Sequence, residues 1–554
     1  QPSDFMAATF GTPSRHVRAA LAQADGVQRS IFAWLREEAS RILEGLSGSE
    51  FAVVLAGRPY HSDPLVSHSV SRFFTSHGIP VIPLDALPGL EEVEHEGIRA
   101  EGTINFHVRM LSGAVKVAQH HHLELVQIVS FGCGHDAVLT DEVIRIMRTA
   151  AGREPLTLKL DESDADGPIQ IRVRSFIETV RSRREKGDGF EPKELKDPYP
   201  VKYQRPHRSE KVILAPNVSE AFARIASAAI RKEGYRIEPL PLADERAIAL
   251  GKKFVHNDMC FPAQINIGES LRVLESGKYR PEQVVCGLAK AQCDCRLAHY
   301  ASLARKALDE AGYEQVPIIT TDDDTKNMHP AFKLGTRFEL RMLWGLAIID
   351  ALEDLRRRIR SYEVDKGEMD RLFEKHIDRI AEALEESSRK ALAKMREAVE
   401  AFEAVEIDRP EERPRVFVIG EFLMNFHRGS NHDIERYLEA NGMEVVLPHI
   451  LDVFRRDFMR MKSEQERFHV RYPFLERVFN SVTDSLFDYA LEKVDEIASA
   501  HPLHERKARL PEVAAHARPI IDDTFTSGEG WMIAGEILHN AELGIESFVI
   551  IQPF

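Results

Sequence analysis

Phe51-Ala-Val-Val-Leu-Ala-Gly57 is a short, wholly apolar run closed by a glycine. Apolar side chains at successive positions, rather than at alternating ones, suit a strand covered on both faces, as in a parallel sheet. A helix-length segment then leads to a second run, Ile79-Pro-Val-Ile-Pro-Leu84, and further runs occupy Leu123 to Val129 and Leu156 to Leu160. Strands separated by helical stretches make a βαβ series, and this predicts a first α/β module over 47–185. Upstream, Val17, Ala20, Leu21, Val27, Ile31, Trp34 and Leu35 recur at helical spacing, so 1–46 reads as an amphipathic helical arm.

Downstream, 186–208 is rich in Lys, Glu, Pro and Gly without a sustained period and reads as a linker. A second α/β module follows over 209–329, with strands expected at Lys211–Ala215, Tyr235–Leu240, Gln283–Cys286 and Val316–Thr320 and helices at about 218–233, 263–276 and 297–311. Charged, Leu- and Ala-rich sequence over 330–408 predicts a helical spacer or cap. A third module, 409–554, opens with Arg415-Val-Phe-Val-Ile-Gly420 and closes in Phe548-Val-Ile-Ile551. The fold class is therefore α/β: several Rossmann-like, doubly wound parallel-sheet modules with a helical spacer. A start at Gln1 and an end inside an apolar run read as cuts through a longer polypeptide, so the third module is expected to be cut short.

The chain has 554 residues, enough for several cores. Its net charge of -15, with both signs interspersed, argues against a nucleic-acid footprint. No apolar run approaches the length needed to span a bilayer, so no membrane span is expected and the cytoplasm is the expected location. Five cysteines are too few, and odd in number, for a disulfide framework.

Ligands of open α/β sheets bind at the C-terminal ends of strands, and the cysteines are expected in strand-to-helix turns there. Cys133 lies in Ser130-Phe-Gly-Cys-Gly-His135, Cys260 in His256-Asn-Asp-Met-Cys-Phe-Pro262, and Cys293 and Cys295 in Lys290-Ala-Gln-Cys-Asp-Cys-Arg296. A helix N-terminus favours a thiolate and offers N–H groups to sulfide. Cys286, inside the apolar run Val284-Val-Cys286, reads as a packed core residue. Structural zinc favours closely spaced CxxC pairs, which are missing here, and dispersed thiolates suit an iron-sulfur cluster better. Two lesser readings are a Cys133 nucleophile with His135 as its base and a ligand cluster at His120-His-His122, which also suits a helix end.

With these residues assembled, the chain resembles the large proteins related to the activases of 2-hydroxyacyl-CoA dehydratases. The matching blocks include Leu55-Ala-Gly-Arg-Pro-Tyr-His61, Ser130-Phe-Gly-Cys-Gly134, Leu158-Lys-Leu-Asp-Glu162, Asn257-Asp-Met-Cys-Phe-Pro262, Ser276-Gly-Lys-Tyr279, Cys295-Arg296, Ile419-Gly-Glu-Phe422, Gly528-Glu-Gly-Trp531 and Gln552-Pro-Phe554. The resemblance implies Rossmann-like modules around a low-potential, oxygen-sensitive cluster. An ATP-hydrolysing activase with its own cluster, fused or separate, would serve it, and subunits would pair as a homodimer. No phosphate-binding Gly-rich loop is visible, so ATP enters only through the activase. Where many relatives have a Gly-rich turn, this chain has Cys293-Asp294, which resembles the double-cubane cluster branch. The cofactor expected is thus a 4Fe-4S or a double-cubane 8Fe-9S cluster on Cys133, Cys260, Cys293 and Cys295.

The activity this implies is an ATP-dependent oxidoreductase component that accepts electrons from the activase and reduces a small-molecule substrate. The alternatives are radical dehydration of a 2-hydroxyacyl-CoA, as in a lyase, and a non-enzymatic cluster carrier or electron relay. His135, His256 and Arg58 are the candidate catalytic groups, with Asn257, Arg296, Tyr60, Glu421 and Glu529 expected around the same crevice.

Overall fold

In the computed structural model, which describes residues 2–130, 132–160, 166–187, 189–290, 295–409, 411–525 and 528–553, the apolar run after Phe51 forms strand β1, Ala52–Ala56. Strands β2 (Val81–Pro83), β3 (Leu123–Ser130) and β4 (Leu156–Leu160) join it in the order β2-β1-β3-β4. Every pairing is parallel, with Val54 opposite Ile82 and Leu125. All but the last residue of β3 is buried, as a central strand covered on both faces requires.

The second sheet repeats this order. Strands β5 (Val212–Ala215), β6 (Ile237–Pro239), β7 (Val284–Leu288) and β8 (Ile318–Thr320) are arranged β6-β5-β7-β8, again all parallel. In the third, β9 (Arg415–Gly420) lies between β10 (Glu444–Val446) and β11 (Ser547–Ile551), the same arrangement without a fourth strand. The α/β class read from the sequence is what the chain adopts. Strand Ile237–Pro239 is shorter than expected because Pro239 and Pro241 flank Leu240 and remove ladder donors.

The arm is a 32-residue helix, Ser14–Gly45, preceded by a short helix, Pro2–Phe10. The spacer is three helices, Thr336–Tyr362, Glu368–Glu386 and Ser388–Glu403. Two long helices, Ile450–Phe468 and Phe474–Ala498, lie between β10 and β11. The strand runs from which the third module is read do not mark these helices.

Packing joins these parts. One apolar cluster runs from Leu111, Val138 and Ile146 of the first α/β unit into Ala263, Ile267, Val284 and Leu303 of the second. The segment 189–206 has no regular structure yet is strapped down. Buried Tyr199 donates its O–H to the Arg99 carbonyl (3.1 Å), and the Tyr203 N–H reaches the Met328 carbonyl (2.9 Å). A second cluster packs Ile225 and Ala228 on Leu346, Ile349 and Phe373 of the spacer and on Val416 and Val418 of β9. Buried Arg356 and Arg357 reach Asp370 (2.8 Å) and Glu435 (3.1 Å), so these buried cations are paired.

Two glycines set a close helix crossing. Helices Glu245–Phe254 and Phe261–Glu275 approach so closely that a Cβ on Gly251 would lie 2.0 Å from the Gln264 carbonyl oxygen, and one on Gly268 would lie 2.0 Å from that of Ala247. This crossing holds the helix end that carries Cys260.

Candidate functional site

Each described cysteine of the expected set is the residue on which a helix begins. Cys133 is the N-cap of Gly134–Ala151, Cys260 of Phe261–Glu275 and Cys295 of the 3-10 turn Arg296–His299, which runs into helix Tyr300–Glu310. The partial positive charge of such ends favours a thiolate. Cys133 and Cys295 follow β3 and β7 as expected. Cys260 departs from the expectation: it stands in a turn between two helices, because the run Glu245 to Phe254 upstream of it is helical. Cys293 lies outside the described residues.

At the end of β1 the chain turns through Gly57 into the 3-10 helix Pro59–Ser62. The Arg58 N–H donates to His61 Nδ1 (3.0 Å), and the Arg58 guanidinium reaches both Asp136 Oδ1 (3.1 Å) and the Cys133 sulfur. Asp136 in turn accepts from the Ser130 N–H (3.0 Å). Burial opposes the Arg58 charge, but Asp136 and Cys133 outweigh it and raise its pKa. Tyr60 bonds Ser130 Oγ (2.8 Å), which also contacts His61 Nε2 (3.3 Å).

The second unit meets the first through Arg296, which lies against Gly134: a Cβ there would be 2.3 Å from Arg296 Nε. A residue with a side chain at 134 would displace this arginine. Burial pushes the Cys260 thiol up, and Arg296 and Tyr300 pull in the opposite direction. Tyr300 Oη is 3.5 Å from the Cys260 sulfur, and Cys295 acts on the same phenol. Lys159, at the end of β4, pairs with Asp258 two residues before Cys260. Cys260 is 8% exposed, whereas Cys295 is open to solvent.

The third unit contributes Glu421 at the end of β9. Its carboxylate accepts from the Met424 N–H (3.0 Å), and burial, with Glu529 nearby, pushes it up to about 7. The Glu421 charge is felt by both Cys260 and Tyr300. Thus Arg58, Arg296, Tyr300 and Glu421 link the surroundings of three cysteines across all three units. His256 sits at the rim, exposed, its Nδ1 accepting from the Asp258 N–H (3.1 Å). Cys286 is buried in β7, 3.7 Å from Ser270 Oγ, its thiol pushed up to about 11 by burial. That is the packing role the apolar run predicts.

Behind this crevice lies a group the sequence reading missed apart from His135. His135 Nδ1 is 3.2 Å from His299 Nε2, and His107 packs against both rings. Burial pushes His107 and His299 down to about 3. The only signal in the sequence was that His135 and His299 follow Cys133 and Cys295 closely. His107 comes from a distant helix with no pattern to mark it. His120 to His122 occupy the turn between helix Asn105–Ala118 and β3.

The donor set fits an iron-sulfur cluster: thiols from separated turns, helix-start N–H groups, and the half-buried Arg58 and Arg296 to balance anionic sulfur. Residues 3–87 match the family described as a CoA enzyme activase uncharacterised domain. This span covers the helical arm, β1, β2 and the Arg58–His61 turn, and ends before the cysteines. No curated protein and no solved structure gives a significant match to the chain. Among the described residues, no helix is long and apolar enough to cross a membrane.

Proposed function

We propose that this chain is the low-potential iron-sulfur component of an ATP-dependent reductase, receiving electrons from an ATP-hydrolysing activase. The observation that carries the reading is that three helix-start cysteines share neighbours: Arg58 reaches Cys133, Arg296 lies against Gly134 and acts on Cys260, and Tyr300 reaches Cys260 and feels Cys295. Cys133, Cys260 and Cys295 would hold the cluster, with Cys293 as a further thiolate. When bound, a 4Fe-4S or 8Fe-9S cluster supplies electrons at low potential to a small substrate.

The chain's own groups have definite tasks around it. Arg58 and Arg296 offset the negative charge of thiolates and sulfide. Tyr300 offers an O–H to the Cys260 sulfur. Glu421, protonated to about pH 7, holds a proton at its carboxyl beside the crevice, and buried Cys260 and Tyr300 limit the approach of water. The match to a CoA enzyme activase domain favours a second reading, dehydration of a 2-hydroxyacyl-CoA.

Anaerobic purification followed by iron, zinc and acid-labile sulfide analysis tests the proposal, with Cys295→Ala as control. About four irons per chain indicate one cubane and about eight a double cubane. Stoichiometric zinc at the thiols without iron overturns the reading. With iron present, anaerobic incubation with activase, ATP and a 2-hydroxyacyl-CoA separates the two activities: an enoyl-CoA product establishes dehydration.

A further inference from the structure

The geometry points to a second metal centre: His107, His135 and His299 form a mononuclear site for a divalent late first-row transition metal, distinct from the thiol crevice. Each histidine comes from a different element. His107 lies in helix Asn105–Ala118, His135 in Gly134–Ala151 and His299 in the turn Arg296–His299. One ring nitrogen of each falls within 4.8 Å of the other two. Tetrahedral coordination at Zn–N distances of about 2.0–2.1 Å places nitrogens roughly 3.4 Å apart. Closing the set therefore needs small ring rotations rather than backbone movement.

Two further observations favour a ligand over packed rings. His107 and His299 are fully buried, yet His107 Nε2 and His299 Nδ1 meet no hydrogen-bond partner among the described residues. Buried polar atoms are normally paired, and each exception calls for a cause. In addition, Thr103 Oγ1 sits 3.2 Å from His107 Nδ1. An outer partner on one ring nitrogen fixes the tautomer and turns the other nitrogen's lone pair inward, as ligating histidines require.

Among the described residues the set holds three imidazoles without a carboxylate or thiolate, which suits Zn²⁺, Co²⁺, Ni²⁺ or Fe²⁺ and leaves a coordination position open. The chemistry differs from that of the crevice, where the donors are sulfur. The site also joins the two α/β units, since His107 and His135 belong to the first sheet's helices and His299 to the second's. A metal there would pin the turns that carry Cys133 and Cys295.

Co²⁺ titration of the full-length chain carrying Cys133→Ser, Cys260→Ser, Cys293→Ser and Cys295→Ser tests this site apart from any cluster. One Co²⁺ per chain, with visible d–d bands and no sulfur-to-cobalt charge transfer, is expected. His107→Ala or His299→Ala should weaken binding more than about 100-fold, beyond the 10–100-fold typical of losing an outer-shell partner. The variant His120→Ala, His121→Ala, His122→Ala should bind as before. Unchanged affinity in His107→Ala, or no cobalt binding by a serine-substituted chain whose circular dichroism matches wild type, overturns the inference. If the serine chain fails to fold, the thiol-containing chain grown with zinc and limiting iron gives the second measurement. Loss of one zinc per chain in folded His107→Ala supports the site, and equal zinc in both refutes it.

Discussion

Replacing Gly251 by alanine should loosen the helix pair that carries Cys260, although the same substitution in an open helix is stabilising. The added Cβ would sit 2.0 Å from the Gln264 carbonyl oxygen, against the roughly 3.3 Å of an ordinary C···O contact. The helices must separate by more than about 1 Å. The obstacle is backbone, so no side-chain rotation relieves it, and the upper end of the overpacking range, about 3 kcal/mol, applies. Alanine returns about 1 kcal/mol through helix propensity. The net loss is about 2 kcal/mol, or roughly 30-fold in the opening equilibrium. At Gly26, inside helix Ser14–Gly45, an added Cβ would meet nothing within 4 Å, so Gly26→Ala should stabilise its helix by up to about 1 kcal/mol. Hydrogen exchange by mass spectrometry on peptides from 245–275 and 14–45 reads both effects. Exchange should quicken in the crossing pair of Gly251→Ala and slow in the arm of Gly26→Ala. Cys260, which starts the second of the crossing helices, should become easier to alkylate. Unchanged protection over 245–275 in Gly251→Ala would refute the close-crossing argument.

Three further outcomes are expected. Glu269 and His427 form a buried contact (2.7 Å) between helix Phe261–Glu275 and the third unit; Glu269→Ala should cost about 3 kcal/mol and Glu269→Gln much less, and equal calorimetric midpoints for the two variants would contradict this. Burial raises Glu421 and Glu536 to about 7 and Asp350 to about 6, so the protonated forms stabilise the fold fully below their unfolded values and that contribution is lost as pH rises through 6 to 7. Depressed Asp354 and Glu435 act oppositely, their contribution vanishing in acid, and the depressed His107 and His299 add stability as pH rises through about 6.5; the thermal midpoint of Glu536→Gln should therefore gain on that of wild type from pH 6 to 8, and a constant difference between the two would refute the assignment. Tyr300→Phe removes the phenol 3.5 Å from the Cys260 sulfur, so iodoacetamide alkylation of Cys260 in the metal-free chain should slow roughly fivefold, about 1 kcal/mol; unchanged or faster alkylation would show that the phenol does not favour the thiolate.

The strands and their class were legible in the chain itself. Runs such as Phe51 to Ala56 and Val416 to Gly420 have no polar face, so only a sheet covered on both sides accommodates them. Glycine, proline and polar residues between the runs marked the turns where cysteines and Arg58 stand. Local patterning also separated Cys286, inside a strand, from Cys133 and Cys295, just beyond one. What those turns meet is a matter of tertiary packing. Arg58 on Cys133, Arg296 on Gly134 and Glu421 near Tyr300 join residues 75, 162 and 121 positions apart in the chain. No spacing rule encodes such distances, because parallel strands are brought together by crossovers of variable length. The same holds for His107, His135 and His299: each is unremarkable on its own helix or turn, and only the packing of two α/β units against one core turns three rings into a group.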